Sequence, residues 1–158
     1  MSFKVKDHYF KKAKKEKFLA RSIYKLEEID QKFKILKKSD SVLDLGYYPG
    51  SWIQYTSKLI GSQGKVVGVD VKEVSKELSQ LDNVELFEMD AFKIYSPSDL
   101  GVDKLFDVLL SDMAPNTTGI KEVDQQRSLD LVEKVFSILP RVLKKDGNLC
   151  VKIFDGHD

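Results

Sequence analysis

Ser41-Val-Leu-Asp-Leu-Gly-Tyr-Tyr-Pro-Gly-Ser-Trp52 is the stretch on which the fold turns. Its first five residues are a short, mostly apolar run, the pattern of a strand buried on both faces. Gly46-Tyr47-Tyr48-Pro49-Gly50 then breaks that pattern with a tight bend, and Ser51 can cap a helix running to about Ile60, where Gly61 stops it. Working outward, further strands are predicted at Lys65-Val-Val-Gly-Val-Asp70, Val84-Glu-Leu-Phe-Glu88, Leu105-Phe-Asp-Val-Leu-Leu-Ser111 and Asn148-Leu-Cys-Val-Lys-Ile-Phe154. The first four strands end at or just before Asp44, Asp70, Asp90 and Asp112. Leu19, Ile23, Leu26 and Ile29 predict an amphipathic helix over residues 18–32. Leu129, Val132, Val135, Phe136, Leu139 and Leu143 predict the longest helix, bent late by Pro140. Strands alternating with helices predict an α/β fold: a parallel sheet with helices on both faces and ligands beyond the strands' carboxyl ends, where the aspartates fall.

The 158 residues fit one domain, with residues 1–38 as a basic arm and first helix and residues 39–158 as the α/β core. The net charge of +1 conceals an asymmetry: residues 1–38 hold 13 Lys/Arg against 5 Asp/Glu, and the remainder 13 against 20. A basic arm interleaved with Phe3, His8, Tyr9, Phe10, Phe18 and Tyr24 suits a polyanion whose phosphates meet lysines and whose bases meet rings. A solvated lysine-rich tail is the plainer alternative. No apolar run approaches the ~20 residues of a membrane helix, and no secretory signal is read at the N-terminus. Cytoplasm is the expected compartment, with no membrane partner and no metal-ligand cluster. The single cysteine, Cys150, sits in an apolar run and is expected to be a buried structural thiol.

The turn also selects among ligands. A dinucleotide pyrophosphate needs Gly-x-Gly-x-x-Gly, so that bare backbone meets it at a helix N-terminus. Here Tyr47, Tyr48 and Pro49 fill the turn, and Pro49 has no N–H to offer. Gly46 and Gly50 flanking a bend suit instead a ligand that passes close to the backbone without a phosphate, such as S-adenosylmethionine. Asp70, twenty residues after Gly50, can accept the two ribose hydroxyls of an adenosine, and Asp90 can accept its adenine amino group. Each aspartate taken singly is more often a cap or turn residue; the ordered series is what points to a site.

The fourth strand runs into Ser111-Asp-Met-Ala-Pro-Asn116, and the fifth carries Lys152 between Val151 and Ile153. With Arg21-Ser-Ile-Tyr-Lys-Leu26, Val42-Leu-Asp-Leu-Gly-Tyr-Tyr-Pro-Gly-Ser-Trp52 and Gly68-Val-Asp70, the chain resembles, over essentially its whole length, the FtsJ family of ribosomal RNA ribose 2′-O-methyltransferases. The resemblance implies a Rossmann-like S-adenosylmethionine-dependent methyltransferase fold. It places a catalytic set on Lys25, Asp112 and Lys152, and cofactor contacts on Gly50, Trp52, Asp70, Asp90 and Asp112, beside the Gly46 already read from the turn. Tyr47 and Tyr48 depart from the small residues usual in the family, either narrowing the methionine pocket or turning outward. The family pattern continues past the fifth strand with two further strands and a catalytic glutamate, for which this sequence holds no positions.

From these residues Lys152 is the expected general base and Asp112 its orienting partner, with Lys25 as a neighbouring cation. The expected partner is RNA, a uridine of large-subunit ribosomal RNA, probed by a monomeric enzyme. Transfer RNA or messenger cap ribose methylation follows the same lysine and aspartate logic. A non-catalytic RNA-binding module of the same fold is the reading from a different class, and a nicotinamide-dependent oxidoreductase is disfavoured by the turn.

Overall fold

The computed structural model describes residues 3–155, with the side chains of Phe3 and Lys4 outside the described set. Helix α1 (Phe3–Lys15) and α2 (Ile23–Phe33) precede β1 (Ser41–Leu45), α3 (Ser51–Ile60), β2 (Lys65–Asp70), β3 (Val84–Glu88), β4 (Phe106–Ser111), α4 (Lys121–Val142) and β5 (Leu143–Val151). Single 3-10 turns at Leu78–Gln80, Ala91–Lys93 and Pro97–Leu100 stand in the β2–β4 connections. All five strands are parallel, in the order β3-β2-β1-β4-β5.

Period-two alternation in the central strands divides the core into two layers. Leu43, Leu45, Val67, Val69, Phe106 and Leu109 pack under Val135, Ile138 and Val142 of α4. Val42, Val66, Val108 and Leu110 face Leu26 of α2 and Trp52, Ile53 and Ile60 of α3. Both faces of the sheet are covered, as the alternating pattern predicts. Among the described residues no helix is long and apolar enough to cross a membrane.

Three elements differ from the sequence reading, each for a physical reason. The predicted helix over 18–32 starts only at Ile23, and the basic arm before it, to which the sequence assigned no secondary structure, forms α1. Lys17 adopts a left-handed φ of 62°, and Gln54 of α3 holds the connection by accepting from Leu19 N–H and donating to the Lys17 carbonyl. On α4 the buried stripe is Asp124, Ser128, Val135, Ile138 and Val142, whereas Leu129 and Phe136 are exposed. That stripe begins with two polar residues, and periodicity counted on apolar residues alone settles on a neighbouring line of the same helix. Strand β5 begins at Leu143 and ends at Val151; its pairing is irregular between Phe106 and Val108, so Leu143 and Asn148 oppose residues only two apart. Lys152 therefore lies just past the strand, its amide donating to the Ser111 carbonyl at 2.9 Å.

Candidate active site

Where β1 is flanked by β2 on one side and β4 on the other, the chain connections leave in opposite directions, and a crevice opens beyond the strand ends. The crevice is a cleft of about 550 Å³ lined by Gly46, Tyr48, Asp70, Asp90, Asp112 and Met113, among others. Gly46 has φ +68°, and a Cβ there would run into the Met113 side chain, so bare backbone is required at this corner. Asp70 is held at both oxygens: Oδ2 accepts from Tyr48 N–H and Oδ1 from Lys72 N–H, each at 3.0 Å. Each of these oxygens keeps a second acceptor direction. Asp90 caps its 3-10 turn, Oδ1 accepting from Phe92 N–H at 2.9 Å.

Asp112 is shared by two concavities. On its other side a groove of about 350 Å³ runs between α1 and α2, lined by Lys25 and Lys152 as well as Asp112. The Lys152 ammonium donates to Asp112 Oδ1 and to the Asp112 carbonyl, both at 3.1 Å. Lys25 is exposed on α2 and faces the same groove. Its helix is fixed to α3 by three contacts: the Trp52 indole N–H donates to the Ser22 carbonyl at 2.9 Å, Ser22 and Ser51 hydroxyls lie 3.0 Å apart, and Tyr55 donates to Asp30 Oδ2 at 3.0 Å. The loop after Asp112 is pinned from α4. Asp124 accepts from Thr118 N–H, the Thr118 hydroxyl and Gly119 N–H, and Arg127 donates to the Asn116 carbonyl. The Thr118 N–H in particular holds the Asp124 carboxyl below the usual carboxylate range.

Of the residues expected from the sequence, Gly46, Asp70, Asp90 and Asp112 share the cleft, and Lys25, Asp112 and Lys152 share the groove. Gly50 and Trp52 do not line the cleft. Gly50, at φ +116°, heads α3 where a Cβ would strike Leu78, and Trp52 is buried against α2. The two tyrosines of the turn separate: Tyr47 is buried in the α3 layer, its ring against Gly68, while Tyr48 is exposed on the cleft wall. Cys150 is half-buried, and burial pushes its thiol up, away from the reactive thiolate.

Asp44, a strand-end residue by its sequence position, is more than that in the fold. It is 1 % exposed, with no hydrogen-bond partner at either carboxyl oxygen among the described residues. Burial, then the charges of Asp112 and Asp70, push its carboxyl well above the usual range. An acid inside an otherwise apolar strand, Val42-Leu-Asp-Leu45, is the signal that would have found it.

Comparison with known proteins decides the family. A family model described as FtsJ-like methyltransferase matches residues 18–158. The chain belongs to the FtsJ-like methyltransferase family. A curated relative, the Ribosomal RNA large subunit methyltransferase E of Bdellovibrio bacteriovorus, is 48% identical over 100% of this chain and 81% of its own length. Among solved structures, one described as a ribosomal RNA methyltransferase from Plasmodium falciparum superposes with a TM-score of 0.75 at 28% identity, covering 89% of this chain and 80% of that one. A SAM dependent methyltransferase from Aquifex aeolicus shares the fold, with a TM-score of 0.55 at 24% identity over 94% of this chain and 77% of its own. The FtsJ-like chain thus has the Rossmann-like methyltransferase fold that the resemblance implies, built on the parallel α/β sheet that the alternation of strands and helices predicts.

Proposed function

We propose that this protein transfers a methyl group from S-adenosylmethionine to a ribose 2′-hydroxyl of large-subunit ribosomal RNA, a uridine being the expected target. One observation carries the reading: Asp112 lies on both the cleft and the groove, so a donor in one and an acceptor in the other would meet at a single carboxylate and its paired Lys152. Large-subunit ribosomal RNA as substrate follows the names of the curated relatives. The cytoplasm and a monomeric state complete the expectation.

The cleft's residues fit the donor. Its volume lies within the ~300–1,000 Å³ of small-molecule sites. Gly46 presents uncovered backbone, Asp70 offers fixed acceptors for a vicinal diol, and Asp90 keeps Oδ2 available for an amino group after Oδ1 has taken the Phe92 amide. Bound there, S-adenosylmethionine supplies a methyl group on a cationic sulfur.

The chain's own residues then have two tasks. Holding acceptor and donor in register can recover roughly 7–11 kcal/mol of the barrier. A base that takes the hydroxyl proton adds about 10²–10⁴-fold. Lys152 is the base in this reading, Asp112 aims its amine, and Lys25 supplies positive charge beside the oxygen that becomes negative. An ammonium accepts nothing, so the amine that takes the hydroxyl proton must be neutral at that moment. Incubating the protein and a Lys152→Ala variant with labelled S-adenosylmethionine and large-subunit particles tests this. Wild-type label should map to a ribose, with the variant slower by ~100-fold or more. Label on a base, or equal labelling by both proteins, would overturn the mechanism. Donor binding without any transfer would instead select a non-catalytic RNA-binding module.

A further inference from the structure

The groove between α1 and α2 has a wall that proton transfer does not use. Beside Lys25, Asp112 and Lys152, it is lined by Lys6, Tyr9, Arg21 and Tyr24, with Glu28 at one side. Tyr24 is immobilised. Its hydroxyl donates to Glu16 Oε2 at 2.6 Å, the Lys12 ammonium sits 4.6 Å from its ring centroid, and the Phe18 ring meets it edge-on at 6.2 Å. Burial, with the Glu16 carboxylate that accepts its proton, pushes the Tyr24 phenol upward, so it stays neutral. Tyr9 leans on this fixed ring, with centroids 5.6 Å apart and planes tilted by 37°, while remaining only half-buried on the groove wall.

A rigid aromatic pair rimmed by cations, opening onto a proton-transfer pair, has the chemistry of an unstacked nucleotide. A ring offers its face to any base, and Lys6 and Arg21 suit the phosphates on either side. An acidic peptide would use the cations but leave the aromatic wall without a planar partner. We propose that Tyr9 is an acceptor-binding residue of this groove, stacking on the base of the nucleotide whose ribose lies over Asp112 and Lys152 and so holding that ribose in place. The chemistry of that ribose rests on the methyl-transfer reading above; the base contact rests on the groove itself.

The test pairs an activity with a readout independent of it. Uniformly 5-bromouridine-substituted large-subunit ribosomal RNA is irradiated with the full-length protein, and the cross-linked peptide is mapped. In parallel, Tyr9→Ala, Tyr9→Phe and Tyr9→Trp are assayed for kcat/KM toward large-subunit particles and for S-adenosylmethionine affinity by calorimetry. The cross-link is expected on Tyr9. Tyr9→Ala should lose about 10-fold or more in kcat/KM with donor affinity unchanged, and the Phe and Trp variants should stay within about 3-fold of wild type, since stacking needs the ring and not the hydroxyl. Cross-links confined to other elements, or a Tyr9→Ala variant as active as wild type, would overturn the proposal. If wild type transfers no methyl group yet cross-links at Tyr9, the methyl-transfer reading falls and the base contact stands.

Discussion

Asp44 shows how a single side chain couples stability to the site. Its carboxyl is raised by burial and by the neighbouring charges of Asp112 and Asp70, so the folded state keeps a proton that the unfolded chain, with a carboxyl near ~3.9, gives up. The linkage sign follows. Stability is greatest below the unfolded value and falls as pH rises from there toward the folded value, because the folded state binds more protons. Asp44→Asn removes the titration while keeping the shape. Its melting temperature relative to wild type should therefore climb as the pH is raised from the unfolded carboxyl's range toward the folded one's. Thermal denaturation across that range checks the trend; a constant offset would mean that the carboxyl does not titrate there. The aspartates were legible in the sequence because each falls at or near the carboxyl end of a predicted strand. What was not legible is that Asp70 and Asp90 are also tied to local amides, and that Asp44 has no hydrogen-bond partner among the described residues. Those facts depend on the direction of side chains after the chain has turned.

Between elements, the contact that places Lys25 is Trp52 against α2. Sequence resemblance gives Trp52 to the cofactor, but its indole is buried and bonded to the Ser22 carbonyl. Trp52→Phe keeps most of the apolar packing and deletes that bond. It should cost about 1 kcal/mol of stability and slow methyl transfer as α2 loosens, while S-adenosylmethionine affinity stays within about 2-fold. Denaturant titration and calorimetry on one variant separate the two roles, and a large loss of donor affinity would return Trp52 to the cofactor. The same distinction explains which elements were readable. The central strands β1, β2 and β4 are sandwiched between helical layers and so appear as continuous apolar runs. Helix α4 and strand β5 were misplaced where polar groups serve structure: Asp124 and Ser128 on the buried stripe of α4, the latter accepting from Phe154 N–H, and Lys144-Lys-Asp-Gly147 inside β5. Periodicity counts apolar residues and does not register a polar residue whose hydrogen bonds are satisfied inside.

At the scale of the whole molecule, charge is segregated: the excess of Lys/Arg in residues 1–38 is balanced by an acidic remainder. Folding turns that asymmetry into geometry, because α1 is a helix whose last turn carries Lys12, Lys14 and Lys15, and whose side toward α2 forms the groove that reaches Asp112. A polyanion drawn to α1 is delivered to the acceptor side, while the acidic cleft wall of Asp70 and Asp90 repels phosphate and suits a donor without one. RNA affinity should accordingly fall linearly in log–log terms with salt, each phosphate contact adding about 0.7 to the slope for single strands. Lys14 and Lys15 are exposed on α1 and are not among the residues lining either concavity. Replacing both with Gln should lower the slope by up to ~1.4, weaken binding similarly across RNA sequences, and leave donor affinity untouched. Filter binding over a salt series measures the slope directly. An unchanged slope would show that RNA reaches Asp112 without crossing α1, and the segregated charge would then need another partner.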